Sequence, residues 1–213
     1  SFAVAESATN GTAVGTATGS DPDGDMLTYS FSAGNDAGLF AINSSSGAIT
    51  VAATLDYEST QIHTLRVVVT DTGSATASAD FTVTVTDVND NAPVFAKSSY
   101  SATVNDTDTA GTTLVTAAAT DADAGTTLIY SITAGNDGGL FSINSSSGAV
   151  ITAGSLLSDA GSHSVTLSAS DGTNAGTAAL MVTINDTTAP SAPTLTGSSL
   201  TNDSTPTWTG VAE

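Results

Sequence analysis

Hydrophobic and polar positions alternate along much of this chain with a period of two. Leu65, Val67 and Val69 are spaced by Thr64, Arg66 and Val68, and Phe81, Val83 and Val85 by Thr82, Thr84 and Thr86. Leu180, Val182 and Ile184 follow the same rule. Such a pattern turns one side of a strand toward a core and the other toward water. No segment sustains a 3.6-residue apolar period, and Gly, Asn, Asp and Ser punctuate the runs at short intervals. Roughly seven short strands in about a hundred residues predict an all-β fold, a seven-stranded Greek-key immunoglobulin-like β-sandwich. A module of that size buries a real but modest core.

The pattern occurs twice. Ser20-Asp21-Pro22-Asp23 returns as Thr120-Asp121-Ala122-Asp123, and Ala33-Gly34-Asn35-Asp36 as Ala134-Gly135-Asn136-Asp137. The stretch from Gly38 to Ala48 is repeated almost unchanged from Gly139 to Ala149, Asp71 matches Asp171, and Asp87 matches Asp186. A repeat of this length predicts tandem sandwiches. We place domain 1 at residues 1–91, with a linker at 87–91, and domain 2 at 92–186. The segment 187–213, with Pro190, Pro193 and Pro206, is too short to fold alone and reads as a linker or the start of a third domain.

Charge narrows the function. The chain carries 21 Asp plus Glu against 2 Lys plus Arg, a net charge of -19. Nucleic acid and anionic membrane surfaces are therefore excluded as partners, since both require clustered cationic side chains. The acids stand singly between apolar residues rather than in disordered blocks. The natural counter-ions are metal cations. There is no cysteine, so disulfides stiffen nothing here. No run of residues is long and apolar enough to span a bilayer. The chain starts at Ser1 without a recognisable signal peptide and reads as a piece of something longer.

The linker Asp87-Val88-Asn89-Asp90-Asn91-Ala92-Pro93-Val94-Phe95 resembles the linker that joins cadherin repeats. Other features of that family stand in order. Glu6 follows the first strand, Asp21-Pro22-Asp23 looks like the Asp-x-Asp motif, Leu55-Asp56-Tyr57-Glu58 like the Leu-Asp-Arg-Glu motif, and Asp71 ends the penultimate strand. The second repeat departs from the pattern. Asp106 stands in the place of Glu6, Leu156-Leu157-Ser158-Asp159 replaces the Leu-Asp-x-Glu motif, and Asn185-Asp186-Thr187-Thr188 lacks the Asn-Asp-Asn run. From Thr188 onward the chain is similar to the start of bacterial Ig-like repeats, with Thr205-Pro206 and Trp208. By analogy, the parent is expected to be a secreted bacterial cell-surface adhesin of the kind that builds biofilms.

Calcium takes six to eight oxygen ligands, mixing carboxylates with carbonyls. The resemblance implies that Glu6, Asp56, Glu58 and Asp87 join Asp90, the Asn91 side chain and the Asn89 carbonyl. To these it adds Asp121, Asp123 and Asp171, and it implies about three ions for the set. Eight of these residues are carboxylates, and neither Arg66 nor Lys97 suffices to neutralise them. Without metal the junction should splay; with metal it should straighten. Two weaker sites are expected, one from Asp21, Asp23, Asp25 and Asp71, the other from Asp106 and Asp186 with Asp203. Asp21 to Asp25 is not an EF-hand start, because Met26 stands where the loop needs Gly and Ser32 where it needs Glu. The competing reading of any one of these acids is a turn cap.

No catalytic constellation emerges. His63 and His163 occupy equivalent strand positions, one per repeat, and are expected to lean inward as structural residues. Aromatics are too scarce to line a sugar-cleaving cleft around the paired carboxylates. The reading is a non-enzymatic extender module of a surface adhesin, made rigid by Ca²⁺ and flanked by further repeats of its own chain. The alternative is a calcium-dependent module that recognises surface polysaccharide or like domains on other cells.

Overall fold

The computed structural model describes residues 1–189; the expected third segment, including Asp203 and Trp208, falls almost wholly outside them. The described chain is built of strands and turns and divides into two compact units. The first comprises Ser1–Pro93 together with two later loops, Thr120–Leu128 and Ser170–Ala175; the second comprises Val94–Ala119, Ile129–Ala169 and the chain from Gly176 onward.

The first unit contains β1 (Phe2–Ala5), β2 (Ala13–Thr16), β3 (Thr28–Ala33), β4 (Phe40–Ile42), β5 (Ala48–Val51), β6 (Ile62–Thr70) and β7 (Thr76–Thr86). They form a four-stranded sheet in the order β1-β7-β6-β3 and a three-stranded sheet in the order β2-β5-β4. β1 runs parallel to β7, with Val4 opposite Val85. The long β6–β7 hairpin is antiparallel and places Leu65 opposite Phe81. Chain crossings from β1 to β2, β3 to β4 and β5 to β6 bind the layers into a sandwich, as the period-two pattern predicts. Val4, Ala17, Phe40, Ile49, Val51, Leu55, Leu65, Val67, Val83 and Val85 fill its core. The alternation decays toward one end, where Val69 and Phe81 are only half-buried.

The second unit repeats this plan. It holds β8 (Val94–Phe95), β9 (Ser99–Asn105), β10 (Thr113–Thr116), β11 (Ala119–Thr120), β12 (Ile129–Ala134), β13 (Phe141–Ile143), β14 (Ala149–Thr152), β15 (Gly161–Ser170) and β16 (Ala175–Asn185). Its sheets are ordered β12-β15-β16-β9 and β10-β14-β13. The additional short pair β8–β11, which periodicity did not reveal, is too brief to carry an alternation. Leu180, Val182 and Ile184 are fully buried, together with Val165, Leu167 and Val150. His63 and His163 both lean inward, edge-on to Phe40 at 5.4 Å and to Phe141 at 6.2 Å. Partial burial lowers the pKa of His63.

The repeated turn explains its own conservation of sequence between the two units. Asn43 Oδ1 accepts the N–H groups of Ser45 and Ser46 at 3.0 and 2.9 Å, and Asn144 does the same for Ser146 and Ser147. The turn then closes on Gly47, whose φ of 70° lies in the left-handed region that glycine alone adopts without strain.

Candidate metal centre

Five chain segments of the first unit bring their acids together. Glu6 follows β1, Asp56 and Glu58 lie in the turn before β6, and Asp87 to Asn91 follow β7. The other two segments are the loops Thr120–Leu128 and Ser170–Ala175. Three groups of carboxylates have oxygens within 4.8 Å of one another: Glu6 with Asp56 and Glu58; Glu58 with Asp90 and Asp123; and Asp121 with Asp123 and Asp171. Glu58 and Asp123 each belong to two groups, so the three form one continuous acidic chain.

Local hydrogen bonds aim these side chains. Asp56 caps its turn, accepting the Ser59 N–H at 2.9 Å and the Ser59 hydroxyl at 2.8 Å. Asp121 Oδ1 accepts the Asp123 N–H at 2.9 Å, and Asp171 Oδ1 accepts those of Thr173 and Asn174 at 2.6 Å. Asp87 Oδ2 accepts the Ala124 N–H at 2.9 Å. Asp123 accepts the Asn91 N–H at 3.0 Å and Asn91 Nδ2 at 2.8 Å. Glu6 is buried and takes the N–H groups of Tyr57 and Val88 at 2.6 and 2.7 Å, fastening the strand end to both neighbouring loops. Turn capping and ligation are thus compatible in one residue, because a carboxylate has an oxygen for each.

The second oxygens are the informative ones. Asp87 Oδ1, Asn89 Oδ1, Asp121 Oδ2 and Asp171 Oδ2 are buried with no hydrogen-bond partner. Buried acceptors are nearly always satisfied; two of these orphans, on Asp121 and Asp171, belong to the third carboxylate group, where a cation would satisfy them, while Asp87 and Asn89 lie in the segment that carries Asp90 and join none of the groups. The donor set is all oxygen, without His or Cys, which suits a hard ion such as Ca²⁺ rather than zinc or copper.

Electrostatics agree. The Glu58 carboxyl is pushed above its ordinary pKa, first by desolvation and then by the charges of Glu6, Asp123 and Asp90. Asp90 is raised in the same way, by desolvation and then by Glu6, Asp123, Asp56 and Asp87. Asp56 goes the other way, lowered chiefly by its bonds from Ser59. A divalent ion would remove the repulsion that raises Glu58 and Asp90.

Each residue expected from the sequence has a definite place. Glu6, Asp56, Glu58, Asp90, Asp121, Asp123 and Asp171 are brought together in the three groups. Asn89 presents its side-chain Oδ1 as the orphaned buried atom, where the backbone carbonyl was expected. Asn91 stands against the cluster as a donor, its Nδ2 reaching Asp123 and Asp90. Asn174 was not anticipated; its Nδ2 donates to the Asn91 carbonyl at 3.2 Å, and its spacing from Asp171 was its only signal. Asp21, Asp23, Asp25 and Asp71 join none of the three groups. Asp21 Oδ1 caps a turn through the N–H groups of Asp23 and Asp25, and Asp71 Oδ1 does so through Ala75. Asp106, in the second unit, occupies the place Glu6 has in the first. It is buried and accepts the Thr187 N–H at 2.9 Å and the hydroxyls of Thr187 and Thr188. Asp186 caps Thr188 at 3.1 Å.

A sandwich repeated in tandem, with an oxygen-only acidic cluster gathered from strand ends and loops, defines a β-repeat protein with a candidate site for a hard cation. The chain belongs to the cadherin domain family, whose pattern matches residues 1–86 and 100–185. Domains of this family bind Ca²⁺ where successive repeats join. Protocadherin Fat 4 of Homo sapiens is 41% identical over 162 residues, which is 73% of this chain and 3% of that protein. The Drosophila melanogaster wing polarity protein stan, described as protocadherin-like, is 38% identical over 182 residues, 80% of this chain and 5% of that protein. The chain therefore spans a small fraction of these relatives. Among solved structures, mouse cadherin-23 EC22-24 superposes with a TM-score of 0.76 at 30% identity, covering 86% of this chain and 61% of that one. Human protocadherin-24 EC1-2 gives 0.74 at 26%, covering 87% and 94%. These relatives are animal proteins, and they give the expected bacterial setting no support.

Proposed function

We propose that the chain is a calcium-stiffened adhesion module, in which about three Ca²⁺ ions occupy the three carboxylate groups. The observation that carries this reading is the three linked carboxylate groups, one of which holds the buried, unpartnered oxygens of Asp121 and Asp171. Each ion would draw together segments far apart in sequence, so binding and rigidity are linked. The domain limits 1–91 and 92–186 belong to the same proposal, with the metal fixing the chain where the repeats join. The role is structural spacing and presentation at a cell surface, without catalysis. Cadherins are adhesion proteins, and recognition of like domains on another cell is the second reading that this family membership favours. The relatives lend nothing to a polysaccharide partner, or to a biofilm adhesin as parent.

Isothermal titration of the chelated protein with Ca²⁺ tests the proposal. About three ions should bind, and Asp90→Ala should weaken binding by at least the 10–100-fold typical of losing a supporting group. Small-angle scattering should change on chelation. Absent binding, or binding indifferent to Asp90, would leave these acids as turn caps and remove the case for a stiffened module.

A further inference from the structure

The turn that carries Asp171 has a counterpart in the first repeat, and the comparison isolates one side chain. In the turn between β6 and β7, the Ala75 N–H donates to Asp71 Oδ1 at 2.8 Å and the Asp71 N–H to the Ala75 carbonyl at 3.1 Å. In the turn between β15 and β16, the Asn174 N–H donates to Asp171 Oδ1 at 2.6 Å and the Asp171 N–H to the Asn174 carbonyl at 3.3 Å. The pairing is the same, so alanine closes such a turn as asparagine does. The Asn174 side chain is therefore not needed for the turn and is free for another duty.

That duty is a contact with the chain after β7. Asn174 is half-buried, and its Nδ2 donates to the Asn91 carbonyl at 3.2 Å. Asn91 in turn grips Asp123 with both of its donors: its N–H reaches Oδ2 at 3.0 Å and its Nδ2 reaches Oδ1 at 2.8 Å. Asp123 is buried, and these two bonds fix the plane of its carboxylate, while each oxygen keeps a further lone pair. The Asn174 backbone is itself anchored, since its carbonyl also accepts the Ser170 hydroxyl at 3.0 Å. A continuous path of hydrogen bonds thus runs from Asp123 through Asn91 and Asn174 to Asp171 Oδ1. Its two ends are carboxylates of the third group, and they come from different loops. The opposite oxygen of Asp171, Oδ2, is buried without a partner, so the path orients that carboxylate and leaves one oxygen open. Like charges on separate loops repel, and a tie made of neutral amides opposes their separation.

We infer that Asn174 is a positioning residue of the third carboxylate group: its amide ties Asn91 to the Asp171 turn and so holds Asp123 and Asp171 at ligating spacing before an ion arrives. The inference rests on the reading of that group as a calcium site. Preorganisation of this kind is felt as affinity, because an ion that finds its ligands in place does not have to order them.

The test compares Asn174→Ala and Asn174→Leu with the original, each in the whole chain. Alanine reproduces what Ala75 does in the first repeat; leucine keeps the bulk and lacks the donor. In chelator both variants should melt within about 4 °C of the original, while amide exchange at Asn91 should quicken about 2–10-fold, the effect of losing one neutral hydrogen bond. In calorimetric titration with Ca²⁺, one ion should bind about 10–100-fold more weakly in both variants. At least one ion should retain its affinity, because the group of Glu6, Asp56 and Glu58 contains neither Asp123 nor Asp171. Weakening of every ion together, or a larger fall of the melting midpoint in chelator, would assign Asn174 to the fold and overturn the inference. Unchanged exchange at Asn91 would overturn it too, as would calcium bound by the leucine variant as tightly as by the original. If the original chain bound no calcium, the calcium reading itself would fall, and this inference with it.

Discussion

Two buried carboxylates in equivalent places do different work. Glu6 holds two backbone N–H groups, those of Tyr57 and Val88, and its remaining lone pairs face Asp56 and Glu58. Glu6→Ala would orphan both donors, at about 1–3 kcal/mol for each. Chemical denaturation in chelator should therefore show the loss even before calcium is added. Asp106 is instead saturated by protein. The hydroxyls of Thr187 and Thr188 hold its pKa down at about 2, against the ordinary 3.8. A depressed acid pKa contributes stability that is complete above 3.8 and disappears as pH falls toward about 2. Asp106→Asn should flatten the pH dependence of unfolding in that window and leave the slope above it unchanged. An identical slope in the variant would mean that the threonines do not discriminate the charged form.

At the scale of elements, the repeated turns explain why glycine recurs where it does. Gly38 and Gly47 both have left-handed φ, 67° and 70°. A Cβ on Gly38 would meet nothing within 4 Å, whereas one on Gly47 would stand 2.1 Å from the Ala17 carbonyl. Gly38→Ala should cost only the conformational term, about 1–2 kcal/mol; Gly47→Ala should cost clearly more, measured by urea unfolding of the two variants side by side. The strands of this fold were legible because their faces differ: Leu65, Val67, Val83 and Val85 announce themselves by alternation. The acidic cluster was legible because Asp56-Tyr57-Glu58 and Asp87 to Asn91 are contiguous motifs. Asn174 and the β8–β11 pair were not, since one depends on a fold-dependent contact and the other is two residues long in each strand. Asp21 and Asp71 cap turns through one carboxylate oxygen each, and an Asp writes the same letter for a cap and for a ligand, so the sequence alone does not separate the two duties.

For the whole molecule, the proposed site would couple metal to fold, because the first unit includes the acid-bearing loops Thr120–Leu128 and Ser170–Ala175. An ion at a hundred times its dissociation constant stabilises the state that binds it by about 2.7 kcal/mol. Calcium should accordingly raise the melting midpoint by about 10 °C or more, and scanning calorimetry with and without chelator measures this. An unchanged midpoint would show that the cluster does not couple to folding. The scarcity of cationic side chains has a separate outcome. Trypsin cuts after Lys and Arg, and this chain offers it only Arg66 and Lys97. Arg66 lies inside β6, hydrogen-bonded to neighbours on both sides and paired with Asp80 at 3.2 Å. Lys97 is exposed between β8 and β9. The folded protein thus presents a single accessible scissile bond, and the second becomes available only when the first sandwich opens, so the order of the two cuts is a built-in clock for its unfolding.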